Sequence, residues 1–123
     1  MAKKVLIVDD EPNIVTALEY LLAQSGYQVK VAQNGDEGLE LVGSFAPDLV
    51  LLDVMMPRVN GYEVCRRIRE HAEWRHIKIV MLSARGREVE VSKGLSLGAD
   101  LYVVKPCSNT ELVAQIGGLL AGT

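Results

Sequence analysis

The sequence predicts an α/β fold, a doubly wound parallel sheet of five strands flanked by five helices. Three observations lead there. Short, nearly unbroken apolar runs recur at Val5–Val8, Leu49–Leu52, Ile77–Leu82 and Leu101–Val104, as in strands covered on both faces. Longer amphipathic stretches separate them. The two kinds of segment alternate strictly, which implies right-handed crossovers and, for five strands, the order 2-1-3-4-5.

Each element has its own signal. After the first apolar run, "PNIVTALEYLLAQSG" places Ile14, Ala17, Leu18, Leu21 and Leu22 on one helical stripe. Pro12 suits the first turn of that helix and Gly26 its end. "YQVKV" alternates, with Gln28 and Lys30 opposite Val29 and Val31, and so reads as an edge strand. Asn34 and Glu37 have capping-box spacing ahead of "GDEGLELVG", a spacing repeated by Asn60 with Glu63 and by Ser108 with Glu111. The helix at "GREVEVSKGLSLG" is the weakest. Val89 and Val91 are β-branched and Gly94 falls in its interior. It marks where the fold could rearrange cheaply.

With 123 residues, 49% of them hydrophobic and 24% charged, the chain reads as one globular domain over residues 1–123. Cys65 and Cys107 have no metal-binding spacing and read as free thiols. The opening "MAKKVLIVDD" has an apolar run too short for a signal sequence or a membrane span, so a cytoplasmic location and no membrane partner are expected. A net charge of −3 argues against nucleic-acid binding through phosphate neutralisation. The basic stretch "CRRIREHAEWRHIK" reads as a solvated helix face.

The polar residues at the strand ends carry the chemistry. The first strand runs into Asp9 and Asp10, the third into Asp53, the fourth into Ser83 and the fifth into Lys105, followed by Pro106. In a parallel sheet these ends share one edge, and ligands of open α/β sheets bind there, where the strand order reverses. Singly, the aspartates read as helix caps or turn residues and Lys105 as a surface lysine. Converged, three carboxylates raise one another's pKa unless a cation joins them. Oxygen donors without His or Cys select a hard cation, Mg²⁺. A metal, an ammonium, a hydroxyl donor and a central carboxylate suit phosphoryl transfer, with the carboxylate as nucleophile forming an acyl phosphate.

At these residues the sequence resembles the receiver domain of bacterial two-component response regulators, over essentially the whole chain. The matching pieces are "VLIVDDEP", "PDLVLLDVMMPRVNGYEV", "IVMLSA", "GLSLGADLYVVKP" and "ELVAQI". The resemblance implies the CheY-like, flavodoxin-like fold and a signalling switch that catalyses only its own phosphorylation and dephosphorylation. It implies Asp53 as phospho-acceptor, Asp9, Asp10 and the Met55 backbone carbonyl as further metal ligands, Ser83 and Lys105 as phosphoryl contacts, and Tyr102 as a rotamer switch. Met55 and Arg85 match positions that tune loss of the phosphate, and Lys105–Pro106 matches a bond that is often cis in the family. The implied partners are a histidine kinase or histidine phosphotransfer protein and a downstream effector, with a phosphorylation-dependent dimer among the assemblies. Leu101 and Thr110 remove two charges from the salt-bridge pattern of one such dimer, and Cys107 replaces an aromatic residue. The chain ends at "GGLLAGT", leaving no room for an output domain. It therefore reads as a stand-alone regulator or as a piece of a longer protein.

Three rivals remain. A pseudo-receiver that binds partners without phosphorylation is opposed by the presence of Asp9, Asp10, Asp53, Ser83 and Lys105. A flavodoxin-type redox protein shares the strand order, but "DDEPN" would repel a phosphate from the first loop. A phosphatase with an aspartyl nucleophile would place D-x-D after the first strand, and "DDEPN" lacks that spacing.

Overall fold

The computed structural model describes residues 2–56 and 58–121. Pro57 lies outside them. The elements are β1 (Lys4–Val8), α1 (Pro12–Gln24), β2 (Gln28–Ala32), α2 (Gly35–Phe45), β3 (Leu49–Asp53), α3 (Gly61–Glu70), β4 (Lys78–Ser83), α4 (Glu88–Ser96), β5 (Leu101–Val104) and α5 (Asn109–Ala121). A short 3-10 turn, Ala72–Trp74, links α3 to β4. All four strand pairings are parallel, in the order β2-β1-β3-β4-β5.

The apolar runs bury both faces because successive side chains point to opposite sides of the sheet. Val5, Ile7, Leu49, Leu51, Val80 and Leu82 pack with α1 and α5. Leu6, Val8, Val50, Leu52, Ile79 and Met81 pack with α2 and α3. β5 differs from its expected burial. Leu101, Tyr102 and Val103 are only half-buried and Val104 is 41% exposed. The strand order explains this, since β5 is an edge strand with one neighbour. On α1 the buried stripe is Val15, Leu18 and Leu22. The predicted stripe omitted Val15, while Ile14, Ala17 and Leu21 lie half-buried beside it.

The three capping residues act as predicted, but by one arm of the box. Asn34 accepts from Glu37 N at 2.9 Å, Asn60 from Glu63 N at 3.0 Å, and Ser108 from Glu111 N at 3.3 Å. Glu63 does not return the bond. Its carboxylate binds Arg66 and Arg67, which hold its pKa down at about 2. Asn34→Ala should cost about 1 kcal/mol, read as a lower urea midpoint with an unchanged slope.

The basic stretch is not wholly solvated. Arg69 turns inward, donating to Gly98 O at 3.0 Å and Asp100 Oδ2 at 3.0 Å. Asp100 also accepts from Ile79 N at 2.8 Å. Nearby, the buried Cys65 thiol donates to Leu97 O. These contacts fasten the turn after α4 to α3 and β4.

Candidate functional site

Register brings the polar strand ends together. Val8 pairs with Leu52, so Asp9 and Asp53 emerge side by side. Asp53 pairs with Leu82 and Ser83 with Val104, which sets Ser83 and Lys105 on the same edge. Two loop bonds continue the ladder, Val54 N to Leu82 O at 3.1 Å and Lys105 N to Ser83 O at 2.8 Å. The Lys105–Pro106 peptide is cis.

Asp9 and Asp53 are each 3% exposed and Ser83 is fully buried, whereas Asp10 faces solvent. Carboxylate oxygens of Asp9, Asp10 and Asp53 lie within 4.8 Å of one another. The Lys105 ammonium sits 3.8 Å from Asp53 Oδ1 and 4.0 Å from Asp9 Oδ2. Its shortest ion pair, 3.4 Å, is with Glu11. That pairing was not predicted, although a third acidic residue directly after Asp9 and Asp10 was the available signal.

The electrostatics follow from burial. Loss of water, and then the Asp9 charge, push the Asp53 carboxyl up to about 6 against the pull of Lys105 and the Met55 N–H. Asp9 is also raised, mainly by burial, although it accepts a hydrogen bond from Glu11 N at 2.9 Å. Burial alone would lower Lys105, but Asp53, Asp9 and Glu11 outweigh it and keep the ammonium charged. A hard divalent cation fits this donor set. The buried carboxylates are short of positive charge, and every side-chain donor is oxygen.

The surroundings are held by main-chain contacts. Met55 N donates to Asp53 Oδ1 at 3.2 Å while the Met55 side chain is 49% exposed. Ser83 Oγ accepts from Arg85 N at 3.0 Å, which leaves its hydroxyl hydrogen for another acceptor. Tyr102 is half-buried and donates to Arg85 O at 2.8 Å. Its ring lies against Gly94, where a Cβ would come within 2.8 Å of Tyr102 Cδ2 and 2.7 Å of Met81 Sδ. The glycine that weakens α4 is thus the slot that lets the helix approach Tyr102.

The family model of the response regulator receiver domain matches residues 5–117. The chain belongs to the response regulator receiver domain family. Solved receiver structures superpose closely on this one. The signal receiver domain of a Syntrophus aciditrophicus signal transduction histidine kinase has a TM-score of 0.91 at 33% identity, covering 99% of this chain and 92% of that one. The Vibrio cholerae chemotaxis protein CheY4 has a TM-score of 0.91 at 28% identity, with 97% and 99% covered. The Thermotoga maritima response regulator DrrB has a TM-score of 0.88 at 33% identity. It covers 98% of this chain, which spans 54% of DrrB. This receiver domain therefore has the predicted strand order and the CheY-like arrangement that the resemblance implied, and its setting is phosphorylation-controlled two-component signalling. No helix among the described residues is long and apolar enough to cross a membrane.

Proposed function

We propose that Asp53 is the phosphoryl acceptor of this receiver domain and that Ser83, Lys105 and Tyr102 convert its charge into a change of surface. The observation that carries this is the placement of a buried carboxylate, Asp53, within 4.0 Å of the Lys105 ammonium and beside Asp9 and Asp10. The donor is a phosphohistidine of a histidine kinase or phosphotransfer protein. An Asp53 oxygen attacks phosphorus, the P–O bond forms as the P–N bond breaks, and the imidazole leaves with a proton. Asp9, Asp10, Asp53 and the Met55 carbonyl would hold Mg²⁺, which when bound supplies positive charge to the phosphoryl oxygens. Lys105 neutralises a further oxygen from its own side, and the buried site keeps water from weakening that contact.

The product carries about −1.5 to −2 charges where one carboxylate stood. Ser83 can give its hydroxyl hydrogen to a phosphoryl oxygen, and the move vacates space that Tyr102 can enter from the β5 edge. The altered α4–β5 face is then read by a downstream effector, or by a second copy of the chain, in the cytoplasm. Phosphorylation and its reversal at Asp53 are the only reactions the domain needs to catalyse.

Acetyl phosphate with Mg²⁺, followed by intact mass, tests the reading. A phosphate-sized gain is expected on the native chain and none on Asp53→Asn. A folded native chain that gains nothing at any Mg²⁺ concentration would falsify it.

A further inference from the structure

Two tyrosines from different elements hold the β4–α4 connection. Tyr102, on β5, donates to Arg85 O, two residues beyond Ser83. Tyr62, the second residue of α3, donates to Glu90 O at 3.2 Å in the first turn of α4. Its hydroxyl neighbours that of Tyr102. Burial first, then Tyr102, push Tyr62 up to about 12, so it stays a donor throughout the physiological range. The Lys93 ammonium lies 4.5 Å from the centre of the Tyr62 ring. One turn of α4 therefore grips this side chain from Glu90 and from Lys93.

The N-terminal half of α4 has few other holds. Arg87 is its N-cap and makes no side-chain capping bond. Glu90 spends its carboxylate on Arg87 within the same turn. Val89 is 66% exposed. The two tyrosine bonds also differ in what they survive. Turning Tyr102 inward takes its hydroxyl from Arg85 O. Tyr62 rides on α3, anchored by the Asn60 cap and the buried Val64, Cys65 and Ile68.

We propose that Tyr62 is a positioning residue of the switch, a tether from α3 that holds α4 at rest and opposes its rearrangement after phosphorylation of Asp53. This rests on the reading of Asp53, Ser83 and Tyr102 given above. A group that stabilises only the resting arrangement lowers the population competent to accept the phosphoryl group, and removing it raises that population.

The test compares the native chain with Tyr62→Phe by amide hydrogen exchange and by the rate of phosphoryl uptake from acetyl phosphate with Mg²⁺. Without phosphate, Tyr62→Phe should speed exchange across residues 84–97 by about 2- to 10-fold, the worth of one hydrogen bond. Peptides of α1 and α5 should keep native rates. Uptake should rise by a comparable factor, which a merely structural hydroxyl would not produce. Unchanged exchange across 84–97, or acceleration spread over α1 and α5, overturns the tether. Faster local exchange with unchanged uptake overturns its opposition to the switch. A native chain that takes up no phosphate sinks the reading of Asp53 and with it that opposition, while exchange in the unphosphorylated variant still decides the tether.

Discussion

Gly61→Ala should lower both the stability of the domain and its rate of phosphoryl uptake, although the change adds a single methyl group. Gly61 is the first residue of α3, and its N–H donates to Val54 O at 3.0 Å. A Cβ there would stand 2.5 Å from Asp53 O and 2.7 Å from Val54 Cα. Both are main-chain atoms at the end of β3, so no side chain can swing away. Either α3 lifts from the sheet or the Asp53 backbone moves. Overpacking of this kind costs about 1–3 kcal/mol. Misplacement of a reacting group by about 1 Å can cost about 10²-fold in rate. Thermal unfolding should show a drop of several degrees, and intact mass should show uptake slowed by about 10-fold or more. Gly118→Ala is the matched control. Nothing lies within 4 Å of its Cβ position on α5, so it should be neutral or stabilising by up to about 1 kcal/mol. Equal behaviour of the two variants would remove the steric account.

Asp53→Asn should stabilise the metal-free domain, and only above a definite pH. The native carboxyl is raised to about 6 from an ordinary value of 3.8. Between those values the native state holds the proton more firmly than the unfolded state, so stability falls as pH rises through the window. Below about pH 4 the penalty is absent, and above about pH 6 it is complete. The upward direction already includes the attraction of Lys105, so that partner does not reverse the sign. In EDTA, Asp53→Asn should therefore unfold a few degrees higher than the native chain at pH 7.5, on the order of 1 kcal/mol after solvent screening. The gap should close by pH 4. Adding Mg²⁺ should stabilise the native chain more than the variant, since the cation binds the folded state through the carboxylate that Asn lacks. A variant less stable than the native chain in EDTA at pH 7.5 would show that Asp53 is a net stabilising ion-pair partner.

The strand ends were legible in the sequence because they depend on one-dimensional order. Leu49 to Leu52 are apolar and Asp53 is not, so the charge must leave the sheet at a predictable edge. The capping residues Asn34 and Asn60 were legible for the same reason, since a cap reaches only three residues ahead. Contacts between segments far apart in sequence were hidden. Glu11 meets Lys105 across 94 residues, and Arg69 meets Asp100 across 31. Gly94 was read by propensity alone as a weakness, and only the approach of Tyr102 and Met81 shows what its missing side chain makes room for. β5 was read as buried because its composition is apolar. Burial depends on having a strand on each side, and composition does not report neighbours.

The two ends of α4 are held by unlike means. Past its last turn, Leu97, Gly98 and Asp100 are gripped by Cys65, Arg69 and Ile79 N. Its first turn hangs on the Tyr62 hydroxyl, the connection before it on that of Tyr102, and Val89 faces solvent. A helix pinned at one end moves by swinging, with the sweep growing toward the free end. Once the Tyr62 hold is released in the proposed switch, the stretch from Arg87 to Val89 would travel farthest, as the tip of a lever whose fulcrum lies near Gly98.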